Sequence, residues 1–314
     1  MTAQRWLRSL PTAGAVLELV REHYPIEPVD AVLVRPFAND VYRIDCRDRS
    51  YAFKIYGADR FTSDEVRWEQ QLVRHLADHG LRVAQPIHLR DGDTVGVLTA
   101  PEGVRPFALT AWLPGNKPQP PWSADLYRRF GANLANLHRA LDSFRSDLPR
   151  RTVRTGTEPE QVINTLGGDP ARQRFVRDAA AAARSAIARL AQSGLRPGIC
   201  QGDYSLDNVQ VDDSGALSVY DFDLAGPGWQ VEDLAGALTT DFADAFLAAY
   251  LAVRPLSAAD LEALPWLGIL AAIDNLHFHL VRKPLTHGTA SLAEGWFDLG
   301  WQTLDQTARK VGIS

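Results

Sequence analysis

Over the first third of the chain, apolar and polar positions alternate in short stretches. Residues 31–35, 41–46, 51–56 and 94–98 are rich in Val, Ile, Tyr and Phe and are separated by turn residues, a pattern that predicts β-strands. Asp48-Arg49-Ser50 is expected to join two of them as a tight hairpin. One helix interrupts the strands: capped by Thr62 or Ser63, it runs to about Asp78 and stops at Gly80. Val66, Val73 and Leu76 mark its apolar stripe, and Glu69 falls within that stripe. Residues 109–113 form a further apolar run, ending in Pro114-Gly115. Pro118, Pro120 and Pro121 follow, and the lobe boundary is placed at this connector, giving lobes of 1–113 and 114–314.

Beyond the connector the period lengthens to that of helices, expected at 123–142, 159–166, 170–193, 231–251, 258–282 and 291–310. Two short strands, 209–211 and 217–220, lie among them. The fold class is α+β: a small strand-rich lobe with one helix, then a larger, mainly helical lobe.

The 314 residues suit one large or two small domains, and 46% hydrophobic residues supply a core. A net charge of −5 argues against a broad nucleic-acid footprint. Cys46 and Cys200 stand far apart without CxxC spacing, which points to a reducing cytoplasm and no zinc site. No long apolar stretch opens the chain, so no signal peptide is expected, and no apolar run is read as long enough to span a bilayer.

The chemistry concentrates in Gln201-Gly202-Asp203-Tyr204-Ser205-Leu206-Asp207-Asn208, then Val219-Tyr220-Asp221-Phe222-Asp223. Phosphoryl transfer needs a positioned nucleophile and neutralised phosphate charge. Asp203 suits the first task, as acceptor of a hydroxyl proton. Asn208 and Asp221 offer the oxygen ligands that magnesium prefers, and a hairpin of the two short strands returns Asp221 to the mouth of the loop. Lys54 lies mid-strand with Ala52 and Tyr56 on its face. Glu69 is its expected partner, because a carboxylate facing a core should be paired, with Glu65 as the second choice. The turn Ala38-Asn39-Asp40 offers backbone N–H groups to phosphates, and residues 109–113 offer backbone groups to a nucleobase edge. Asp274, His277 and His279 share a predicted helix and are candidates for an acceptor pocket. Asp233 reads best as a helix cap that could also brace the loop. Neither GxGxxG nor a Walker loop is present.

Taken together, the chain resembles the aminoglycoside phosphotransferase superfamily, which includes choline kinases, type II homoserine kinases and a bacterial stress-response Ser/Thr kinase. The resemblance spans nearly the whole chain. It is carried by Asn39-Asp40-Val41-Tyr42, Phe53-Lys54-Ile55-Tyr56, Trp68-Glu69, Leu113-Pro114-Gly115, residues 131–138 ending in His138, the two motifs above, and Glu232-Asp233-Leu234-Ala235. It implies a bilobal protein-kinase-like fold and transfer of the γ-phosphoryl of ATP or GTP, with Mg2+, to a hydroxyl. It also implies Asp203 as catalytic aspartate, Asn208 and Asp221 as metal ligands, Lys54 on the phosphates with Glu69 behind it, and adenine against the backbone near Ala111 and Leu113. The family usually has His where Gln201 stands and often where Ser205 stands. Neither change removes an acid, a metal ligand or the lysine, so activity is expected. The acceptor stays open between a small molecule (an antibiotic, amino acid or biosynthetic intermediate) and a Ser/Thr side chain of a peptide. A non-catalytic nucleotide-binding module and a metal-dependent hydrolase are the remaining readings. An aminoglycoside would need an acidic wall, for which Asp241, Asp244, Asp260, Glu262, Asp274, Glu294 and Asp298 are candidates.

Overall fold

A computed structural model describes residues 6–58, 60–152 and 159–314. In chain order the first elements are α1 (Ala13–His23), β1 (Asp30–Pro36), β2 (Asp40–Asp45), β3 (Ser50–Ile55) and α2 (Ser63–Asp78). Strands β4 (Gly96–Ala100) and β5 (Gly103–Ala111) follow, then α3 (Ala124–Leu141), α4 (Pro159–Thr165) and α5 (Pro170–Gln192). The short strands β6 (Pro197–Cys200), β7 (Val209–Val211), β8 (Leu217–Val219) and β9 (Gly226–Trp229) come next. The chain ends in α6 (Ala243–Val253), α7 (Ala258–His277), α8 (Lys283–His287) and α9 (Trp296–Arg309).

These elements form two compact units, and neither is continuous in sequence. The first takes residues up to Gln119, then Ser143–Arg151 and Leu206–Asp223; the second takes Pro120–Asp142, Thr152–Ser205 and the chain from Leu224 onward.

In the first unit, the five antiparallel strands are ordered β1-β2-β3-β5-β4. Strand alternation turns Tyr42, Ile44, Tyr51, Phe53 and Ile55 inward, where they meet Val16 and Val20 of α1 and Phe107 and Leu109 of β5. Helix α1 was absent from the sequence reading. Thr12 caps it by accepting the Ala15 N–H, and Val16 and Val20, one turn apart, bury its inner face. Helix α2 starts from a capping box in which Thr62 and Glu65 satisfy each other's backbone N–H. Strand β4 begins two residues later than expected, and β5 begins at Gly103, ahead of the apolar run that signalled it.

The second unit is mainly helical. Gly131 of α3 faces the Phe246 carbonyl of α6, and a Cβ there would lie 2.1 Å from that oxygen, so only glycine allows this approach. Helix α7 packs against α5 and α9. The continuous helical run Ala258–His287 reaches a mean hydropathy of 1.2 and is by length and composition long enough to cross a membrane, which corrects the expectation that no such run exists. Its apolarity has a packing reason: Leu267, Ile269, Leu270, Ile273 and Leu276 are all buried within the unit. Two expected helices are broken. Residues 231–251 divide into short 3-10 turns, Gln230–Leu234 and Ala237–Thr239, before α6 begins. Residues 291–310 break at Gly295, whose φ of 79° caps α9 from the left-handed region. Strands β6 and β9, also unanticipated, pair antiparallel with Cys200 opposite Gly226.

Candidate active site

Strand β3 carries Lys54 into a group of carboxylates within the first unit. Its Nζ lies 2.6 Å from Asp221 Oδ1, 3.5 Å from Asp223 Oδ2 and 3.8 Å from Glu69 Oε1, and 4.9 Å from the centre of the Tyr56 ring. Burial alone would depress the ammonium's pKa, but the three acids outweigh it and hold Lys54 above its ordinary value. Glu69 moves the other way: burial raises its pKa, and Lys54 only partly offsets that. The Tyr56 hydroxyl donates to Glu69 Oε2 at 2.9 Å, so both Glu69 oxygens are engaged. Asp223 is also buried, yet Lys54, Arg60 and the Asn39 amide hold its pKa low. Glu65 does not reach Lys54. It forms a forked pair with Arg151 at 2.6 and 2.7 Å, and that bond holds its pKa down at about 2.

Asp221 is placed by β7 and β8. Val209 pairs with Val219, and the Tyr220 N–H donates to the Asn208 carbonyl at 3.0 Å, so Asn208 and Asp221 emerge at the same end of the hairpin. Asp221 has a φ of 63°, the one positive value outside glycine among the described residues. That conformation is costly for a side chain with a Cβ and tends to mark functional positions. Among the described residues no group of three or more His, Cys, Asp or Glu is arranged to hold a metal. The carboxamide of Asn208 and the carboxylate of Asp221 instead suit magnesium, which takes few protein oxygens and the rest from phosphates and water.

Asn39 reaches this group through its side chain: Nδ2 donates to Asp223 Oδ2 at 2.6 Å, and Oδ1 accepts the Gly57 N–H at 3.2 Å. The side chain of Asn39 thus carries a tie that the sequence reading did not foresee. At the end of β5, the Ala111 N–H donates to the Gln85 carbonyl at 2.8 Å, while Leu113 is half-buried in the connector.

In the second unit, β6 delivers the chain directly into the loop of Asp203. The buried Asp233 carboxylate accepts the Gln201 N–H at 2.6 Å and the Gly202 N–H at 2.9 Å, with His138 Nε2 at 3.1 Å. Tyr250 Oη lies 2.8 Å from His138 Nδ1. Asp233 thus braces the loop and caps no helix, which reverses the preferred sequence reading. The fully buried Gln201 accepts the Asp203 N–H on Oε1 at 2.7 Å, so this glutamine still ties the loop together. Gly202 adopts φ 84°, and a Cβ there would meet the Leu224 carbonyl oxygen at 2.3 Å. Tyr204 stacks on Phe130 with ring centroids 4.2 Å apart and donates to Asn133 Oδ1 at 2.9 Å. The backbone of the loop is fixed, while the Asp203 side chain is exposed.

A sequence model described as "Phosphotransferase enzyme family" matches residues 33–267. The chain belongs to the phosphotransferase enzyme family. A protein of Deinococcus radiodurans is 32% identical, the match covering 98% of this chain and 93% of that one. A homoserine kinase of Azorhizobium caulinodans is 30% identical over 67% of each chain. Among solved structures, a microcompartment-associated aminopropanol kinase superposes with a TM-score of 0.79 at 20% identity, covering 95% of this chain and 98% of that one, and so shares the fold. The family and this structural neighbour are phosphotransferases acting on hydroxyl groups, and this phosphotransferase has their protein-kinase-like fold.

The family match contains Asn39, Lys54, Glu69, Ala111, Leu113, Asp203, Asn208, Asp221 and Asp233 and stops before Asp274 and His277. Those two lie half-buried on α7, with His277 Nε2 2.9 Å from Gln161 Oε1. His279 follows in a π-helical turn and stacks on Trp296. Three of the acids suggested for an acidic wall have structural partners. Asp260 is buried and accepts the Ser257 and Arg196 N–H groups, Glu262 pairs with Arg189, and Glu294 with Lys283. Sequence reasoning missed Arg60 and Arg150 near Asp223. Arginines are common at surfaces, and no local pattern distinguishes these two.

Proposed function

We propose that this phosphotransferase moves the γ-phosphoryl group of ATP (or GTP), with Mg2+, onto the hydroxyl of a small amino alcohol. The observation that carries this reading is the Lys54 ammonium held among Asp221, Asp223 and Glu69. Lys54 binds phosphate oxygens, with Glu69 and Tyr56 fixing its direction. Asn208 and Asp221 hold the metal, which when bound neutralises phosphate charge. Asp203 accepts or orients the hydroxyl proton; its backbone is held by Gln201, so little reorganisation remains for the carboxylate. Asn39 and the backbone at Ala111 and Leu113 contact the nucleotide, and Asp274 and His277 serve the acceptor.

In this reading residues 1–113 bind nucleotide, and the chain from 114 to 314 brings the catalytic loop and the acceptor site. The grouping of residues 206–223 with the first compact unit supports the metal ligands acting alongside the nucleotide-binding residues. The substrate class is supported by the names of the similar proteins: homoserine and aminopropanol each carry an amine and an alcohol. Two free cysteines support a cytoplasmic setting.

Thermal melting with Mg·ATP and Mg·GTP tests the nucleotide half. A metal-dependent rise that Asp221→Ala abolishes is expected, since ligand bound only to the native state raises the midpoint. ADP release with homoserine, aminopropanol, an aminoglycoside and a Ser/Thr peptide tests the acceptor half. Turnover confined to the peptide would replace the amino alcohol by a protein substrate. Nucleotide binding without turnover of any acceptor would favour a binding module.

A further inference from the structure

Residues 143–151 run antiparallel along α2 and touch it from end to end. Ser143 Oγ lies 3.3 Å from His75 Nε2 and 3.4 Å from His79 Nε2 near the helix C-terminus. Ser146 donates to Gln71 at 2.7 Å, and Phe144 meets the Trp68 ring edge-on at 5.2 Å. At the helix N-terminus, Arg150 Nη1 donates to the Glu65 carbonyl at 3.0 Å, beside the Arg151–Glu65 pair. The other end of the Arg150 guanidinium leaves the helix: Nη2 donates to the carbonyls of Asp223 at 2.5 Å and Phe222 at 3.3 Å. The guanidinium lies 4.9 Å from the centre of the Trp68 ring and 5.4 Å from that of Phe61.

We propose that Arg150 is a positioning residue whose guanidinium locks helix α2 to the segment Asp221–Phe222–Asp223. Glu69 rides on α2, and Asp221 and Asp223 sit on the segment. A rotation or slide of α2 that withdrew Glu69 from Lys54 would have to break the Arg150 bridge, leaving its donors or the carbonyls unpaired in a buried place. The planar fork reaches two backbone segments at once, which a single ammonium does poorly. Of these contacts, the one made by Arg150 joins the two segments. The coupling stands on this geometry, and its catalytic consequence rests on the function proposed above.

Hydrogen exchange on the whole protein without nucleotide tests the coupling, alongside titration of Mg·ATP. In Arg150→Met, the amides of α2 and of residues 221–224 are expected to exchange faster together, by about tenfold or more. Arg151→Ala should loosen only the first turn of α2. The Kd for Mg·ATP should rise about tenfold in Arg150→Met with the KM for acceptor unchanged, a split that general destabilisation does not produce. If Arg150→Met fails to fold, Arg150→Lys, which keeps the charge, carries both measurements. Faster exchange in only one of the two segments overturns the proposal, as does coupled exchange with unaltered nucleotide affinity. A wild-type protein that binds neither ATP nor GTP refutes the functional reading, while the exchange pattern still decides the coupling.

Discussion

Replacing Asp233 removes a carboxylate that holds two consecutive backbone N–H groups at the start of the Asp203 loop. The carboxylate accepts two backbone N–H groups, from Gln201 and Gly202, and contacts His138, all within 3.1 Å. A hydrogen bond to a charged group contributes about 1.5–3 kcal/mol, and a donor left unpaired in a buried place costs about as much. Gly202 is only half-buried, so water recovers part of its bond. Asp233→Ala should therefore cost about 3–5 kcal/mol, or roughly 6–20 °C in melting temperature at ~2–4 °C per kcal/mol. Asp233→Asn keeps one acceptor but turns an NH2 towards a donor, and should cost about half as much. The functional effect passes through Gln201, which holds the Asp203 N–H. If Asp203 has the proposed role, displacing its carboxylate by about 1 Å costs about 100-fold in rate, so kcat should fall by that order. The KM for nucleotide should barely change, because the Lys54 group has no part in this network. The assay is thermal unfolding of both variants, followed by ADP release at a temperature where each is fully folded. An Asp233→Asn protein that melts within about 1 °C of wild type, or turns over at the wild-type rate, would refute this account of the loop.

Asp221→Gly relieves the left-handed φ of 63° and should fold at least as stably as wild type, yet lose the magnesium-dependent melting shift; an unchanged shift would refute the metal role proposed for Asp221. Lys54→Met leaves Asp221, Asp223 and Glu69 facing one another, which should cost about 3–5 kcal/mol near neutral pH. Much of that loss should return on acidification as the carboxylates take up protons, and pH-dependent melting of the variant checks it. Glu65, with a folded pKa of about 2, contributes stability that is present above its ordinary value of 4.5 and is lost as pH falls from there towards 2. Glu65→Gln should flatten the acid limb of the melting curve in that window; identical limbs would show that the Arg151 pair adds nothing.

Much of the site could be read locally because each signal was short in range. The Lys54 face follows from strand alternation, α2 from its cap and stripe, and the β7–β8 hairpin from two alternating triplets, Val209-Gln210-Val211 and Leu217-Ser218-Val219, around Asp212-Asp213-Ser214-Gly215. What escaped depends on distant partners. Asp233 looks like a cap in sequence because its two amide partners lie about thirty positions earlier, and Arg150 meets Asp223 across 73 positions. Helix α1 carries a readable but short signal, the cap Thr12 followed by Val16 and Val20 one turn apart. The false continuity at 231–251 arose because Ala and Leu keep a helical period through Gly236 and Thr239-Thr240-Asp241, where the backbone turns in separate short pieces.

The interleaving of the two units bears on how the chain matures during synthesis. The first unit draws on residues up to Gln119, then waits for Ser143–Arg151 and finally for Leu206–Asp223. At about 5–20 residues per second, the roughly hundred residues between Gln119 and Asp223 take about 5–20 s to emerge. Throughout that interval the nascent sheet already holds Lys54, while Asp221 and Asp223 have yet to be made. A fragment ending near the connector would carry the lysine without those acids, so the Lys54 ion-pair group cannot be obtained by cutting the gene at its apparent lobe boundary.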